Sequence, residues 1–358
     1  METTALPAAD LVRSLGEVGI ADRPAAGGKG ASLGELRRAG LPVPDGFVVT
    51  TRAFECALRN ADPSRSAGHN LASRQEADTA GLARAAAAIR TRITAAPIPA
   101  DVEAAVRAAY QALGGDEPVA VRSSATGEDA SDASFAGLQD TYLWVSGEQQ
   151  VLEHVRRCWA SLYNLEAVSY RRRQTAAPPA SMAVVVQRMV DPRCAGVMFT
   201  CSPTSGDRSV VAIEGSWGLG SVLVGGEVTP DSFVVSKVTG EIVRHTVSVK
   251  QRLHRQDPAR AGTITADVPA HLRAKACLTD DEIRSLAVLA TQVERHYGAP
   301  QDIEWAVEEG SGAVLLLQSR SETVWAARRT VAPLAVPKAR PADHVFEQLS
   351  RVRGVTWS

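Results

Sequence analysis

The sequence predicts an α+β fold in which two subdomains combine helices with mixed or antiparallel sheets. Two observations point to this class: residues 61–115 have helical periodicity, and the second half consists of short strand patterns separated by turn residues. A third is the length of 358 residues, which exceeds one typical domain. We therefore expect two packed subdomains that share a cleft, followed by a tail.

The first half alternates between helices and strands. A glycine-rich segment opens a helix around Leu33–Ala39, and the strand FVVTT follows a Pro- and Gly-punctuated turn. Residues 61–115 are Ala- and Arg-rich and are expected to form covering helices. Two strands flank a polar segment, residues 124–140, which we expect to act as a lid. Apolar residues at helical spacing then predict one long helix over Glu148–Arg173.

The second half is rich in strands that read as hairpins of a mostly antiparallel sheet. One helix interrupts them, with Thr279 as its N-cap and Glu282 completing a capping box. These patterns predict an N-terminal subdomain over residues 1–185 and a C-terminal subdomain over residues 186–325. Residues 326–358 are rich in Pro, Ala and Arg and are expected to be a linker or docking tail.

Composition excludes several classes of protein. The 39 basic and 40 acidic side chains give a net charge of -1, which argues against a broad nucleic-acid surface. No apolar run is long enough to cross a bilayer and the N-terminus does not read as a signal peptide, so we expect a cytoplasmic protein without membrane contact. The five cysteines include no CxxC pair and favour neither a disulfide framework nor a zinc site.

Two basic residues lie in settings suited to phosphate. Lys29 is part of the glycine cluster Gly27–Gly30, where backbone N–H groups, a helix N-terminus and an ammonium group could meet phosphate oxygens. Arg122 lies on the opposite face of a strand from Val121, with a guanidinium fork suited to the same oxygens. The alternatives are a plain turn for the glycines and a surface ion pair with Glu128 or Asp129 for the arginine.

The C-terminal hairpin supports a geometric prediction. If Gly310–Gly312 form a three-residue loop, Glu304 lies opposite Gln318 and Asp302 opposite Arg320, all on one face. A carboxylate beside an amide oxygen suits Mg²⁺, and Arg320 could meet a phosphate. On the other face, a core layer is expected from Ile303, Trp305, Val307, Leu315 and Leu317. The alternative is an exposed polar face, because a slip of one residue would separate the four side chains.

These motifs, in this order, resemble the N-terminal ATP-binding domain shared by phosphoenolpyruvate synthase, pyruvate phosphate dikinase and rifampicin phosphotransferase. The resemblance runs from about Gly27 to Thr323 and includes the segments GGKGASLGEL, AVRSSATGEDASDASFAGLQDTYL, EGSWGLG, HYGAPQDIEW and LLLQSR. It implies an ATP-grasp-type fold with a nucleotide cleft between the two subdomains.

The resemblance also implies roles for individual residues. Lys29, Arg122 and Arg320 correspond to the catalytic phosphate-binding residues, and Glu304 and Gln318 to the ligands of Mg²⁺. The ATP site would include those five residues together with Thr141, the interdomain strand Gln187, Arg188, Met189 and Val190, and Glu214.

Dikinases of this family transfer the β-phosphoryl group of ATP to a histidine on a swivelling domain and release AMP and phosphate. None of the seven histidines lies in the Gly/Thr-Ser-His loop that the family uses. The resemblance therefore implies a separate subunit that carries the phosphohistidine and the acceptor site, as in split systems resembling phenylphosphate synthase. The alternatives are an ATP-grasp ligase that forms ADP, a non-catalytic nucleotide-binding regulator, and a fragment of a longer enzyme.

Overall fold

The structure is a computed structural model that describes residues 7–73, 78–127, 140–173, 181–259, 262–323 and 325. Most of the segment predicted to be a lid and all of the predicted tail, residues 326–358, lie outside these ranges. Helices accompany antiparallel sheets throughout, which confirms the α+β prediction. Contacts within the chain group the residues up to Glu322 into one compact unit.

The first half forms a five-stranded antiparallel sheet with the order β1-β2-β5-β3-β4. Its helices are α1 (Ala8–Leu11), α2 (Arg23–Arg38), α3 (Thr51–Ala61), α4 (Ser66–Ala72), α5 (Thr79–Ala95), α6 (Ala100–Leu113), α7 (Glu148–Ser161) and α8 (Leu165–Arg173). Its strands are β1 (Val12–Ser14), β2 (Gly46–Val49), β3 (Val119–Ala125), β4 (Thr141–Val145) and β5 (Met182–Arg188). Valines of β3 and β5 pack against helices on one face of this sheet, in a core that includes Phe54 and Trp159.

The single long helix predicted over Glu148–Arg173 is wrong, because the structure has two helices there. After Ser161 the hydrogen bonds tighten: Tyr163 N–H donates to the carbonyl of Ala160 at 3.0 Å and Asn164 N–H to that of Ser161 at 2.9 Å. Asn164 then precedes α8, and its backbone carbonyl accepts a hydrogen bond from Val168 N–H at 2.9 Å. Asparagine is favoured at this position before a helix.

The second half forms a six-stranded antiparallel sheet with the order β13-β12-β6-β7-β8-β9 and a separate two-stranded hairpin. The strands are β6 (Pro192–Phe199), β7 (Val210–Trp217), β8 (Asp231–Ser236), β9 (Ile242–Thr246), β10 (Arg252–Gln256), β11 (Thr263–Asp267), β12 (Gln301–Glu308) and β13 (Val314–Ser321). The helices are α9 (Ser221–Val224) and α10 (Asp280–Tyr297). The predicted start of α10 is confirmed, because the Thr279 and Glu282 side chains form the capping box.

One face of the six-stranded sheet is covered. Ile283, Leu286 and Val293 of α10 belong to the same buried core as Met198, Ile213, Phe233, Ile303, Trp305 and Leu316 of the strands. The indole of Trp305 lies over two glycines, since a Cβ added at Gly196 or Gly215 would meet it at 2.8 Å. These glycines give the largest buried side chain of the sheet room to lie flat.

The two sheets are consecutive in the chain. Strand β5 ends at Arg188 and β6 begins at Pro192, so Met189 to Asp191 pass from one sheet to the other. The predicted division between residues 185 and 186 falls inside β5, and the two-subdomain boundary stays a prediction. No helix among the described residues is long and apolar enough to cross a membrane.

The C-terminal hairpin confirms two predicted pairs and corrects others. Asp302 lies opposite Arg320 and Glu304 opposite Gln318, as predicted. The loop is longer than expected, because Glu308 rather than Glu309 pairs with Ala313. Between the pairs Trp305–Leu316 and Glu304–Gln318, Leu317 is an extra residue on β13 without a partner on β12. This bulge shifts the register and offsets the longer loop, so the pairs beyond it are the predicted ones.

The register shift also overturns the predicted core layer on β13. Beyond it, Leu316 lies opposite Trp305 and enters the covered core, whereas Leu315 and Leu317 pack with Ala306 on the other face. The expectation that Leu315 and Leu317 belong to the core is therefore wrong, and the bulge is the physical reason.

Candidate functional site

The glycine cluster of α2 lies against β3. Gly27 breaks the helix with φ 68° and ψ 178°, and a Cβ at this position would lie 2.0 Å from the carbonyl oxygen of Ser124. The Ser124 hydroxyl donates to the carbonyl of Ala26 at 2.8 Å and accepts from Gly30 N–H at 3.0 Å. Only glycine fits at Gly27, because both the space and the left-handed backbone exclude a side chain. This contact fixes Lys29 beside the sheet.

Arg122 connects the two sheets. Its side chain leaves β3 and donates to the carbonyl of Leu317 at 2.5 Å and to the Gln318 side-chain oxygen at 2.9 Å. It also contacts the Glu304 carboxylate at 3.3 Å and the Gln187 side-chain oxygen at 3.4 Å. Only 8% of the residue is exposed, so a buried guanidinium meets the partners predicted for the metal. The alternative of an ion pair with Glu128 or Asp129 involves residues outside the described ranges.

The second face of the six-stranded sheet, opposite α10, carries a row of side chains from neighbouring strands. Gln318, Glu304, Val197 and Glu214 lie directly opposite one another in successive pairs, and each is partly exposed. We call this side of the sheet the open face. Burial raises the pKa of the Glu214 carboxyl, and no cation among the described residues pairs with it. Glu214 is thus a half-buried acid available to a ligand.

The pair Asp302 and Arg320 occupies the next row of the open face. The Arg320 Nε atom contacts the Asp302 carboxylate at 3.3 Å, and the Arg320 side chain is 47% exposed. Burial raises the pKa of Asp302, while the charge of Arg320 opposes that shift. Only Nε contacts the aspartate, so the two terminal nitrogens of Arg320, which make no hydrogen bond to a described residue, could meet an anion.

An apolar patch adjoins these polar rows where the chain passes between the sheets. It consists of Val190, Ala195, Ala306, Leu315 and Leu317. Sequence reasoning placed the two leucines in the core and so missed the patch. Val190, Ala195 and Ala306 are buried. Leu315 and Leu317 are partly exposed, so they present apolar side chains beside the polar groups, a combination common in ligand sites.

The other predicted residues differ in their relation to Arg122. Thr141 lies opposite Arg122 on the neighbouring strand, and Gln187 contacts it and donates to the carbonyl of Pro44 at 3.2 Å. Lys29 is partly buried. Burial raises the pKa of the nearby Cys158 thiol, and the positive charge of Lys29 opposes that shift. The structure therefore places Thr141 and Gln187 around Arg122 and Lys29 on the helix that packs beside it.

The strand segment at the crossing between the sheets is only partly available. The Arg188 side chain turns outward to an ion pair with Glu117 at 3.1 Å. Arg188 N–H donates to the carbonyl of Asp45 and Met189 N–H to that of Pro118, so both amides are used within the protein. Val190 N–H makes no backbone hydrogen bond to the part of the chain that is described. Of this segment, Val190 has its side chain buried in the apolar patch and an amide without a backbone partner in the described ranges.

The arrangement can accept a cation at Glu304 and Gln318. Their oxygens lie 3.3 and 2.9 Å from one Nη2 atom of Arg122, so both point at the same place, which already holds a positive group. The described residues contain no cluster of three or more His, Cys, Asp or Glu suited to a metal. A carboxylate with an amide oxygen still fits Mg²⁺, because this ion usually completes its shell with water and phosphate.

Comparison with known proteins gives one family and several relatives. The family model "Pyruvate phosphate dikinase, AMP/ATP-binding domain" matches residues 23–338. A probable phosphoenolpyruvate synthase of Methanothermobacter thermautotrophicus is 44% identical over 86% of this chain and 45% of its own length. A rifampicin phosphotransferase of a Streptomyces species is 43% identical over 84% of this chain and 34% of its own.

A phosphoenolpyruvate synthase of Aeropyrum pernix is 40% identical over 93% of this chain and 44% of its own length. The chain thus spans less than half of the length of these relatives. The family match covers both sheets and, with the antiparallel α+β architecture, confirms the ATP-grasp-type fold implied by the sequence motifs.

Proposed function

The chain belongs to the family of pyruvate phosphate dikinase AMP/ATP-binding domains, and we propose that it is the Mg-ATP-binding component of a dikinase-type phosphotransferase. In this proposal it transfers the β-phosphoryl group of ATP to a histidine on a partner subunit or domain and releases AMP and phosphate. The observation that carries the proposal is the convergence of Arg122, from one sheet, on Glu304 and Gln318 of the other.

We propose that the triphosphate lies between α2 and the open face. Lys29 and Arg122 approach it from the five-stranded sheet, and Arg320 from the hairpin. Thr141 adds a hydroxyl beside Arg122. Charged donors aimed at phosphate oxygens in a partly buried site favour the transition state because they are already oriented before the reaction.

The base and the sugar have their own candidate contacts. The apolar patch offers a surface for the base, and the amide of Val190 at its edge can donate to a ring nitrogen. The buried Gln187 accepts a hydrogen bond from Arg122 through its side-chain oxygen and so helps to position the guanidinium. Glu214, the half-buried acid of the open face, is suited to accept hydrogen bonds from sugar hydroxyls.

Glu304 and Gln318 would hold Mg²⁺. When bound, the metal neutralises negative charge on the phosphate oxygens. The Arg122 guanidinium contacts the Glu304 carboxylate at 3.3 Å, and nucleotide binding would transfer Arg122 from this carboxylate to a phosphate. A buried arginine with several alternative acceptors can make that change without being left unpaired.

The acceptor histidine is proposed to lie outside this chain. Three of the described histidines contact other parts of the fold: the His154 ring lies against that of Tyr142, His254 contacts Ser221, and His296 contacts Glu35. The relatives named phosphoenolpyruvate synthase and rifampicin phosphotransferase are more than twice as long as the matched region. We propose that a partner subunit or domain supplies the phosphohistidine and the site for pyruvate, a phenol-like acceptor or another substrate.

Product analysis tests this function. The chain is incubated with Mg-ATP, alone and with the protein encoded beside it, and nucleotides are separated by chromatography. We expect AMP to form rapidly only in the mixture, and an Arg122→Gln variant to lose it. Equal AMP rates with and without the partner would refute the split arrangement, ADP as sole product would favour a ligase, and nucleotide binding without turnover would favour a regulator.

A further inference from the structure

A cavity open to solvent lies on the helical side of the five-stranded sheet. It has a volume of about 420 Å³ and is lined by α5, β4 and the end of α7. Side chains alternate along β4, so Tyr142 faces the helices while Thr141 shares the face of Arg122. The cavity and the candidate nucleotide site are therefore on opposite faces of the same edge strand.

Positive charge dominates the lining of this cavity. Arg90 of α5 and Arg157 of α7 both line it, against one acidic residue, Asp140. The Arg157 Nε atom contacts the Glu153 carboxylate at 3.1 Å. The two terminal nitrogens of Arg157 make no hydrogen bond to a residue in the described ranges. Arg90 makes no ion pair with any residue in the described ranges and is exposed. A guanidinium without an internal partner at the mouth of a cavity can bind an anion without first breaking a protein contact.

The remaining polar groups suit a ligand that has hydroxyls as well as negative charge. Thr91 and Asn164 add a hydroxyl and an amide to the lining. Asp140 accepts a hydrogen bond from the Tyr142 hydroxyl at 2.8 Å. Burial and the nearby Asp140 carboxylate raise the pKa of Tyr142, so its phenol remains a donor and Asp140 stays engaged. The Asp140 carboxylate therefore has a hydrogen-bond partner within the protein.

We propose that this cavity binds a small phosphate-bearing metabolite between Arg90 and Arg157. Its volume lies within the range of about 300–1,000 Å³ that is typical of small-molecule sites and exceeds what phosphate alone requires. A phosphate with a short hydroxylated carbon chain would satisfy both arginines and the neutral polar groups. This inference assigns a site that the proposed nucleotide chemistry does not use.

Hydrogen bonds between β3 and the start of β4 connect the cavity with the other face of the sheet. The carbonyl of Asp140 accepts from both the N–H and the hydroxyl of Ser123, at 3.1 and 3.0 Å. Ser123 follows Arg122, and Thr141 follows Asp140. A ligand that holds β4 in place would hold Thr141 beside Arg122 and so tighten nucleotide binding, a consequence that rests on the proposed function.

Phosphate titration tests the site. The full chain is saturated with Mg-AMPPNP to occupy the open face, and inorganic phosphate is titrated calorimetrically at constant ionic strength. We expect one phosphate to bind, an affinity about tenfold weaker in Arg90→Ala through loss of charge-assisted hydrogen bonds, and tighter binding of glycerol 3-phosphate than of phosphate. Arg84→Ala is the matched control, because Arg84 is exposed on the same helix but outside the cavity.

The outcomes separate this site from the nucleotide site. Unchanged phosphate binding in Arg90→Ala, equal losses in Arg84→Ala, or no binding at all would overturn the proposal. If Mg-AMPPNP itself does not bind, the proposed function fails, and the titration is repeated with Arg122→Gln to remove competing phosphate contacts. For the coupling, glycerol 3-phosphate should lower the Kd of Mg-AMPPNP in the wild type but not in Arg90→Ala; no difference between the two would refute it.

Discussion

The two faces of the six-stranded sheet are built from the same strands, but one is buried and apolar whereas the other carries polar side chains. The covered face is apolar and fully buried, with Trp305 against Gly196 and Gly215 beneath α10. The open face is partly exposed and carries Glu304 and Glu214, with Arg122 reaching across from the other sheet. Because side chains alternate along each strand, the residues that stabilise the fold and those proposed to bind ligand lie on opposite faces. Substitutions on the covered face should therefore lower stability, and those on the open face should lower ligand affinity.

The largest effect is expected on the covered face. Trp305→Ala removes a fully buried indole and should lower the free energy of unfolding by about 3–5 kcal/mol, because neighbouring groups cannot fill the space. Urea denaturation measures this loss. Leu317→Ala on the open face is the control and should cost clearly less, since Leu317 is only partly buried. Equal losses would contradict the assignment of the two faces.

The contact between Trp305 and its glycines predicts the next effect. Gly215→Ala places a methyl group 2.8 Å from the indole and should destabilise the protein by about 1–3 kcal/mol through overpacking. Gly310→Ala serves as the matched control, because no atom lies within 4 Å of a Cβ at that loop position. Thermal unfolding compares the two variants, and a Gly215→Ala protein as stable as Gly310→Ala would show that the sheet yields easily.

On the open face the loss should be in binding rather than in stability. Arg122→Gln removes a guanidinium that the account assigns to phosphate, so affinity for Mg-AMPPNP should fall about 10- to 100-fold by calorimetry. Arg107→Gln is the comparison, because Arg107 bridges Glu103 and Glu148 on the helical side, away from the open face. If both variants bind nucleotide equally well, Arg122 is only a structural link.

The smallest effect concerns the pH dependence of stability. Burial raises the pKa of Glu214 in the folded protein above its usual range, so the ionised form is disfavoured by folding. The contribution of this carboxyl is complete below the unfolded pKa and is lost as pH rises through the folded pKa. Glu214→Gln should therefore be slightly more stable than the wild type near neutral pH, with the difference disappearing below about pH 4. A constant difference across this window in denaturation experiments would contradict the pKa shift.

The sequence could predict those features that depend on local pattern. Alternation fixed the pairs Asp302 with Arg320 and Glu304 with Gln318, because a strand has a period of two wherever one face is buried. It could not reveal that the loop is one residue longer and that Leu317 compensates, since nothing in the letters LLLQSR marks a bulge. The apolar patch of the open face was missed for that reason.

Contacts between distant segments were beyond local reasoning as well. The family resemblance predicts Arg122 as a phosphate-binding residue, but its bonds to Leu317 and Gln318 join residues nearly two hundred positions apart. The break between α7 and α8 was missed because Asn164 can stand either inside a helix or before one. The family motifs predict which residues belong to the site, and the structure adds the contacts that hold Arg122.

The most direct test of the central claim is the magnesium dependence of nucleotide binding. The Kd of AMPPNP is measured with Mg²⁺ and with EDTA, in the wild type and in Glu304→Gln. If Glu304 and Gln318 hold the metal beside the triphosphate, Mg²⁺ should tighten binding strongly in the wild type and only weakly in the variant, while both unfold at similar urea concentrations. An undiminished magnesium effect in Glu304→Gln would contradict the account.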